Sequence, residues 1–249
     1  MRKRLAARLT LIAALALLTV PVLALLLFGT GLWAAFSIWD MLGVAWKVAG
    51  WGIGSLVVVL GTLFATTLLS MLFVPLPGPK GVRLSSKHAR DFYRLVEGMI
   101  WALEAGHIDH IWVTPDMNAA ILQRPRHGRC FGRIETHLLV GLPLAHSVTC
   151  PQLVAVLAHE LAHLAVQRKG LGKYGALLRA WWLRALDRMG DIFPPVFGKQ
   201  VDRWLRRLYN DMARLARIEE FEADALAARL VDANLLGETL LEVSLREQF

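Results

Sequence analysis

An α+β protein, mostly helical with a small sheet and preceded by two transmembrane helices, is the architecture this sequence predicts, on three observations. Leu9 to Phe28 and Val48 to Val74 carry no charged residue, and each is long enough to cross a bilayer core of ~30 Å. Short runs of β-type residues between positions 111 and 140 are separated by turn signals. Helical periodicity dominates on either side of them. The chain has 249 residues, enough for one sizeable core, and its hydrophobic content of 55% exceeds that of an ordinary soluble domain.

The first apolar run, about residues 9–30, reads as a span. It outlasts the apolar region of a signal peptide, and no small-x-small cleavage site follows at once. A second span is expected at about 48–74. Arg2, Lys3, Arg4 and Arg8 precede the first run, Lys80, Arg83, Lys87 and Arg90 follow the second, and the loop between holds only Asp40 and Lys47. Cations near span ends stay on the cytoplasmic side, so the N-terminus and the domain after the spans are expected in the cytoplasm, at a bacterial inner membrane. Trp33, Trp39, Trp46 and Trp51 cluster around the loop, as amphipathic rings do at an interface. The division expected is a membrane anchor at 1–76 and a cytoplasmic domain at 77–249. Half of the formal net charge of +8 belongs to the first eight residues, which leaves no basic footprint for nucleic acid. Two cysteines, Cys130 and Cys150, fit a reducing compartment and no metal-binding spacing.

Pro75-Leu76-Pro77-Gly78-Pro79 makes a stiff exit linker, because successive prolines cannot continue a helix. Phe92, Leu95, Val96, Met99, Ile100 and Leu103 recur at helical spacing and predict a helix over 86–105, with Gly106 as its stop. Strands are expected at 111–113, 119–122 and 131–140. Arg124, Arg126, Arg129, Arg133 and His127 form a basic turn between the last two, suited to anionic headgroups or to plain solvation. Thr149-Cys150-Pro151-Gln152 then supplies a Thr-x-x-Gln capping box with Pro in the first turn, and Gln167-Arg168-Lys169-Gly170 supplies late cations and a stop. Residues 175–190 mix Leu177, Leu178, Trp181, Trp182, Leu183 and Leu186 with Arg179, Arg184 and Arg188. That pattern is amphipathic, suited to a membrane surface, to a cap over a cleft or to packing on the domain. A last long helix starts near Val201.

The capped helix of residues 149–170 carries His159-Glu160-Leu161-Ala162-His163, the H-E-x-x-H pattern. Residues four apart stack on one helical face, so the two imidazoles can bind one cation together. Glu160 is turned about a quarter of the way around the helix, toward a water activated at the metal. Apart from these three side chains the helix is almost wholly apolar, and burying two His and a Glu is costly unless they are paired or bound. Catalytic zinc takes three protein ligands, and the last helix offers Glu219, Glu220 and Glu222. Ala213, Ala216, Glu220, Ala223 and Ala227 form a stripe of small side chains that allows close approach to another backbone, so Glu220 leads. Glu222 lies about 200° from it around the helix. Asp224 shares the Glu220 face one turn later and suits the role of orienting a ligand His. Glu219 and Glu222 read as partners of nearby arginines. His88, His107, His110, His127, His137 and His146 fit no ligand spacing.

With these residues the chain resembles the membrane-anchored gluzincin metallopeptidases, the family of the heat-shock protease HtpX and the CAAX-processing proteases. Their paired signature, H-E-x-x-H followed on a later helix by E-x-x-x-D, is matched by His159 to His163 and Glu220 to Asp224. Asn118-Ala119-Ala120-Ile121 is similar to the family's Asn-Ala strand, and Leu138 to Pro143 to the segment before its metal helix. The likeness covers roughly residues 85–230. The family's downstream His-Pro segment with a following Arg has no counterpart here. The resemblance implies a zincin-like metallopeptidase domain, one Zn2+ held by His159, His163 and Glu220, Asp224 as companion, and substrate backbone paired along Asn118, Ala119 and Ala120.

Together these readings lead to an integral-membrane zinc endopeptidase with Glu160 as general base. Polypeptides or membrane proteins are its expected substrates, the lipid bilayer its surroundings, and nucleic acid is not a partner. The alternative is a catalytically silent zinc-binding membrane scaffold that holds clients or partners.

Overall fold

The computed structural model describes residues 2–41, 78–126, 133–168, 177–182 and 199–246, with isolated helical positions at 56, 59, 62, 63, 66 and 175. Two compact units make up the chain. Residues 1–10, 75–179 and 195–249 form one, and residues 11–74 and 180–194 form the other. Helix α1, Arg2–Met41, begins in the first unit and ends in the second. In the second unit Trp181 and Trp182 are both buried and lie 6.1 Å apart with rings tilted by 31°.

The first unit carries a four-stranded sheet in the order β1 (Val82–Arg83), β2 (His110–Thr114), β4 (Ile134–Gly141), β3 (Ala119–Pro125). β1 and β2 are antiparallel, β2 and β4 parallel, and β3 and β4 antiparallel. β4 therefore enters between two strands that are consecutive in sequence, and β3 becomes an edge. Close approach at that point requires glycine. A Cβ on Gly141 would sit 1.9 Å from the Asp116 carbonyl oxygen, while the Gly141 N–H donates to Asn118 O at 2.8 Å.

Around the sheet lie α2 (Arg90–Ala102), α3 (Leu142–Ser147), α4 (Cys150–Arg168), α5 (Lys199–Ala227) and α6 (Ala233–Arg246). β2 and β3 are longer than the apolar runs alone suggest, β4 starts at Ile134 and not at 131, and α2 starts at Arg90 and not at 86. The backbone of Ser85 explains the late start: its carbonyl accepts from His88 N–H and Ala89 N–H, a turn that precedes the helix. In α4 the Gln152 half of the capping box forms, and the Thr149 hydroxyl turns to the Gln152 side chain. Gln152 Oε1 accepts from Thr149 N–H at 2.8 Å and from Thr149 Oγ1 at 2.9 Å, and Gln152 Nε2 donates onward to Glu242 of α6 at 2.7 Å. Leu157, Leu161, Leu164 and Val166 of α4 pack with Ile111, Leu138 and Val140 of the sheet, Val96 and Met99 of α2, and Ala223 and Ala227 of α5. Each fully buried aliphatic side chain contributes roughly 1.5–3 kcal/mol, and α4 is the element through which the core is continuous.

The membrane expectation is corrected. Among the described residues, no helix is long and apolar enough to cross a membrane, so neither the two-transmembrane architecture nor the two-span inner-membrane location with cytoplasmic ends holds. An uncharged run measures apolarity, not the surface that covers it, and the start of α1 is covered by protein. Ala6 is buried and Leu9 is fully buried. The cations read as a cytoplasmic tail are used within the domain instead: Arg2 lies 2.7 Å from Glu222 and Arg8 3.8 Å from Asp211. The run from Val48 to Val74 lies outside the described residues except at five positions. Outside them too fall the basic turn at 127–132 with Cys130, and residues 183–190 of the amphipathic segment; residues 177–182 of that segment are helical.

Candidate metal centre

The two histidines project from α4 one turn apart, and the T-shaped packing of their rings (centroids 4.6 Å apart, planes at 88°) brings both Nε2 atoms to the same point. They are 3.1 Å from each other. α5 crosses α4 there because Ala223 and Ala227, both fully buried, let its backbone come close. The small-residue stripe works only in this half of the helix, since Ala213 and Ala216 are exposed. Glu220 Oε2 reaches 3.3 Å from His163 Nε2 and 3.6 Å from His159 Nε2.

Donors bound at 2.0–2.1 Å around a tetrahedral ion lie about 3.3–3.4 Å from one another. The three separations bracket that value, and the donor set of two imidazoles and one carboxylate suits zinc. Burial holds His163 below the ordinary histidine pKa, with Glu220 opposing and His159 adding to the shift. A neutral imidazole is the form that ligates. His159 and His163 are mostly covered, whereas Glu220 and Asp224 are about half exposed, so the cluster opens on the α5 side.

Asp224 Oδ1 lies 2.9 Å from His159 Nδ1. Both atoms are buried and neither makes a hydrogen bond of good geometry among the described residues, so the 2.9 Å approach pairs charges and leaves Nε2 to face Glu220. Glu160 follows His159 on α4 and is partly buried. The other two glutamates of this stretch of α5 turn away from the cluster. Glu219 Oε1 lies 3.4 Å from Arg179, burial pushing its carboxyl up while Arg179 and Arg2 pull it back, and Glu222 pairs with Arg2. Of the three glutamates only Glu220 joins the histidines.

Asn118, Ala119 and Ala120 lie at the start of β3, whose outer side carries no strand among the described residues. β3 packs against α4, which places an open edge alongside the helix that bears the histidines. A cavity of 440 Å³ lies elsewhere, beyond the end of α4, lined by Asp109, Gln123, Thr136, Leu164 and Gln167. It touches none of the cluster.

A second His-rich group sits on the opposite face of the sheet and has a different character. His110 Nε2 and His137 Nε2 approach Glu135 Oε2 at 4.0 and 3.8 Å. The Trp112 indole N–H donates to His137 Nδ1 at 3.2 Å. An indole is a donor only, so Nδ1 accepts and the proton of the neutral ring is on Nε2, which leaves no lone pair there for a metal. Burial, His110 and Arg124 hold His137 below its ordinary pKa against the pull of Glu135 and Asp109.

Sequence reasoning missed the arginines that hold α5. Arg2 and Arg179 have no local spacing relation to Glu222 and Glu219, and only the fold brings them together. Neither any known protein-family model nor any curated protein matches this chain.

Proposed function

We propose that this protein is a zinc-dependent endopeptidase acting on polypeptides. The observation that carries the reading is the convergence of His159 Nε2, His163 Nε2 and Glu220 Oε2 at 3.1–3.6 Å, with a carboxylate, Glu160, adjoining the first histidine on the same helix. Those three side chains would hold the ion. Zinc, when bound, makes water a competent nucleophile near neutral pH and polarises a carbonyl.

The chain's own groups supply the rest. An extended substrate adds its backbone to the free edge of β3 at Asn118 to Ala120, which fixes the scissile peptide beside α4. The Glu160 carboxylate takes a proton from the attacking water and returns it to the leaving amine, acting as base and then as acid. Asp224 holds the His159 ring in the ligating tautomer. The exposed flank at Glu220 leaves room for a chain to pass. The resemblance to the gluzincin metallopeptidases supports the same assignment of roles.

The test is digestion of an unfolded polypeptide such as casein by the purified full chain, with zinc measured on the same sample. Cleavage is expected to stop when a chelator strips the metal and to return with one equivalent of zinc. Cleavage that survives complete zinc removal, or a zinc-loaded protein that cuts nothing, contradicts the proposal; the second outcome favours a silent zinc scaffold.

A further inference from the structure

We propose that Arg2 is a positioning residue for the metal centre: it ties the end of α4 to α5 and fixes the rotation of α5 that presents Glu220 to His159 and His163. The proposal rests on reading that group as a metal centre. Arg2 Nη1 donates to Val166 O at 3.1 Å and pairs with Glu222 Oε2 at 2.7 Å, and the side chain is only 11% exposed. Val166 belongs to the last turn of α4, whose carbonyls have no partner within the helix, and a cation there also meets the negative end of the helix dipole. The two hydrogens on Nη1 can serve both acceptors at once. One guanidinium thus joins the two helices that carry the three ligands.

Glu219 and Glu222 are three apart and share a face of α5. Glu220 is about 100° around the helix from Glu219 and about 200° from Glu222. Arg179 pins Glu219 at 3.4 Å while donating to Thr10 Oγ1 of α1 at 3.2 Å. With both flanking glutamates held by arginines that are mostly buried, α5 cannot turn about its axis without breaking two ion pairs. Such pairs resist separation more than exposed ones do, because loss of one partner strands the other. Arg2, Ala6, Leu9 and Thr10 fall on one stripe of the first turns of α1, and the burial of Ala6 and Leu9 holds that stripe against the domain.

The experiment measures zinc affinity of the full chain by competition with a chromogenic chelator, below the melting temperature of every variant, alongside melting of the metal-free protein. Arg2→Gln and Glu222→Gln are each expected to weaken zinc binding by roughly tenfold, the scale of an outer partner, and the double variant to bind no more weakly than Arg2→Gln alone. Arg2→Lys, which keeps the cation but not the planar fork, falls between. Glu222→Gln keeps the Arg2 contact with Val166 and carries the test if Arg2→Gln does not fold. Variants that melt earlier yet bind zinc as tightly as the parent show support of the fold only and overturn the proposal. A parent chain that binds no zinc overturns the metal reading, and the proposal with it.

Discussion

Glu160→Gln is expected to leave zinc content unchanged and to lower peptide hydrolysis by about 10²–10⁴-fold, the usual worth of a positioned general base. The substitution keeps the size and shape of the side chain, and Glu160 is not among the three groups whose donor atoms converge. The metal should therefore stay while the proton acceptor is lost. An amide cannot take a proton from water at neutral pH, so the loss should fall on kcat and not on KM. Zinc analysis and steady-state cleavage on the same preparation check this. A variant that retains zinc and still cuts at the parental rate removes Glu160 from the role, and one that loses zinc places it among the ligands.

Glu220→Gln is expected to have the larger effect on the metal. Its Oε2 is, among the described residues, the carboxylate oxygen that lies near both imidazoles, at 3.3 and 3.6 Å. Replacing an anionic ligand with a neutral amide removes the charge that offsets the cation, so affinity should fall by more than the roughly 10–100-fold that loss of an outer partner costs. Activity should fall with it. Glu222→Gln should still bind one zinc per chain, more weakly, because Glu222 faces Arg2 and not the histidines. Equilibrium dialysis of both variants separates the two cases, and the reverse ranking would reassign the third ligand.

The helix that carries the two histidines was legible because every signal on it is local. The capping box of Thr149 and Gln152 spans one turn, and so does the pair His159 and His163, and both arise from helical geometry alone. Glu220 was legible through the small residues beside it, yet only Ala223 and Ala227 of that stripe are buried. A helical wheel does not say where along a helix another element crosses it. Strand β3 was found, but its place at the sheet edge was not, since that follows from β4 entering between β2 and β3. The apolar run after Arg8 misled because absence of charge does not report burial: Leu11, Leu15, Leu18 and Leu25 are exposed, and only the start of the run is covered. Leu9 is buried in the domain, and the cations before it meet Glu222 and Asp211. The arginine clasp was beyond reach for a related reason, as Arg2 and Val166 are 164 positions apart.

The central claim is that His159, His163 and Glu220 form one metal centre. X-ray absorption at the zinc edge of the zinc-loaded protein tests it most directly. The account predicts a shell of nitrogen and oxygen at about 2.0–2.1 Å with the scattering signature of two imidazoles, and the loss of that signature when His159 and His163 are both replaced. A sulfur shell near 2.3 Å, or a spectrum unchanged by the double replacement, would contradict it.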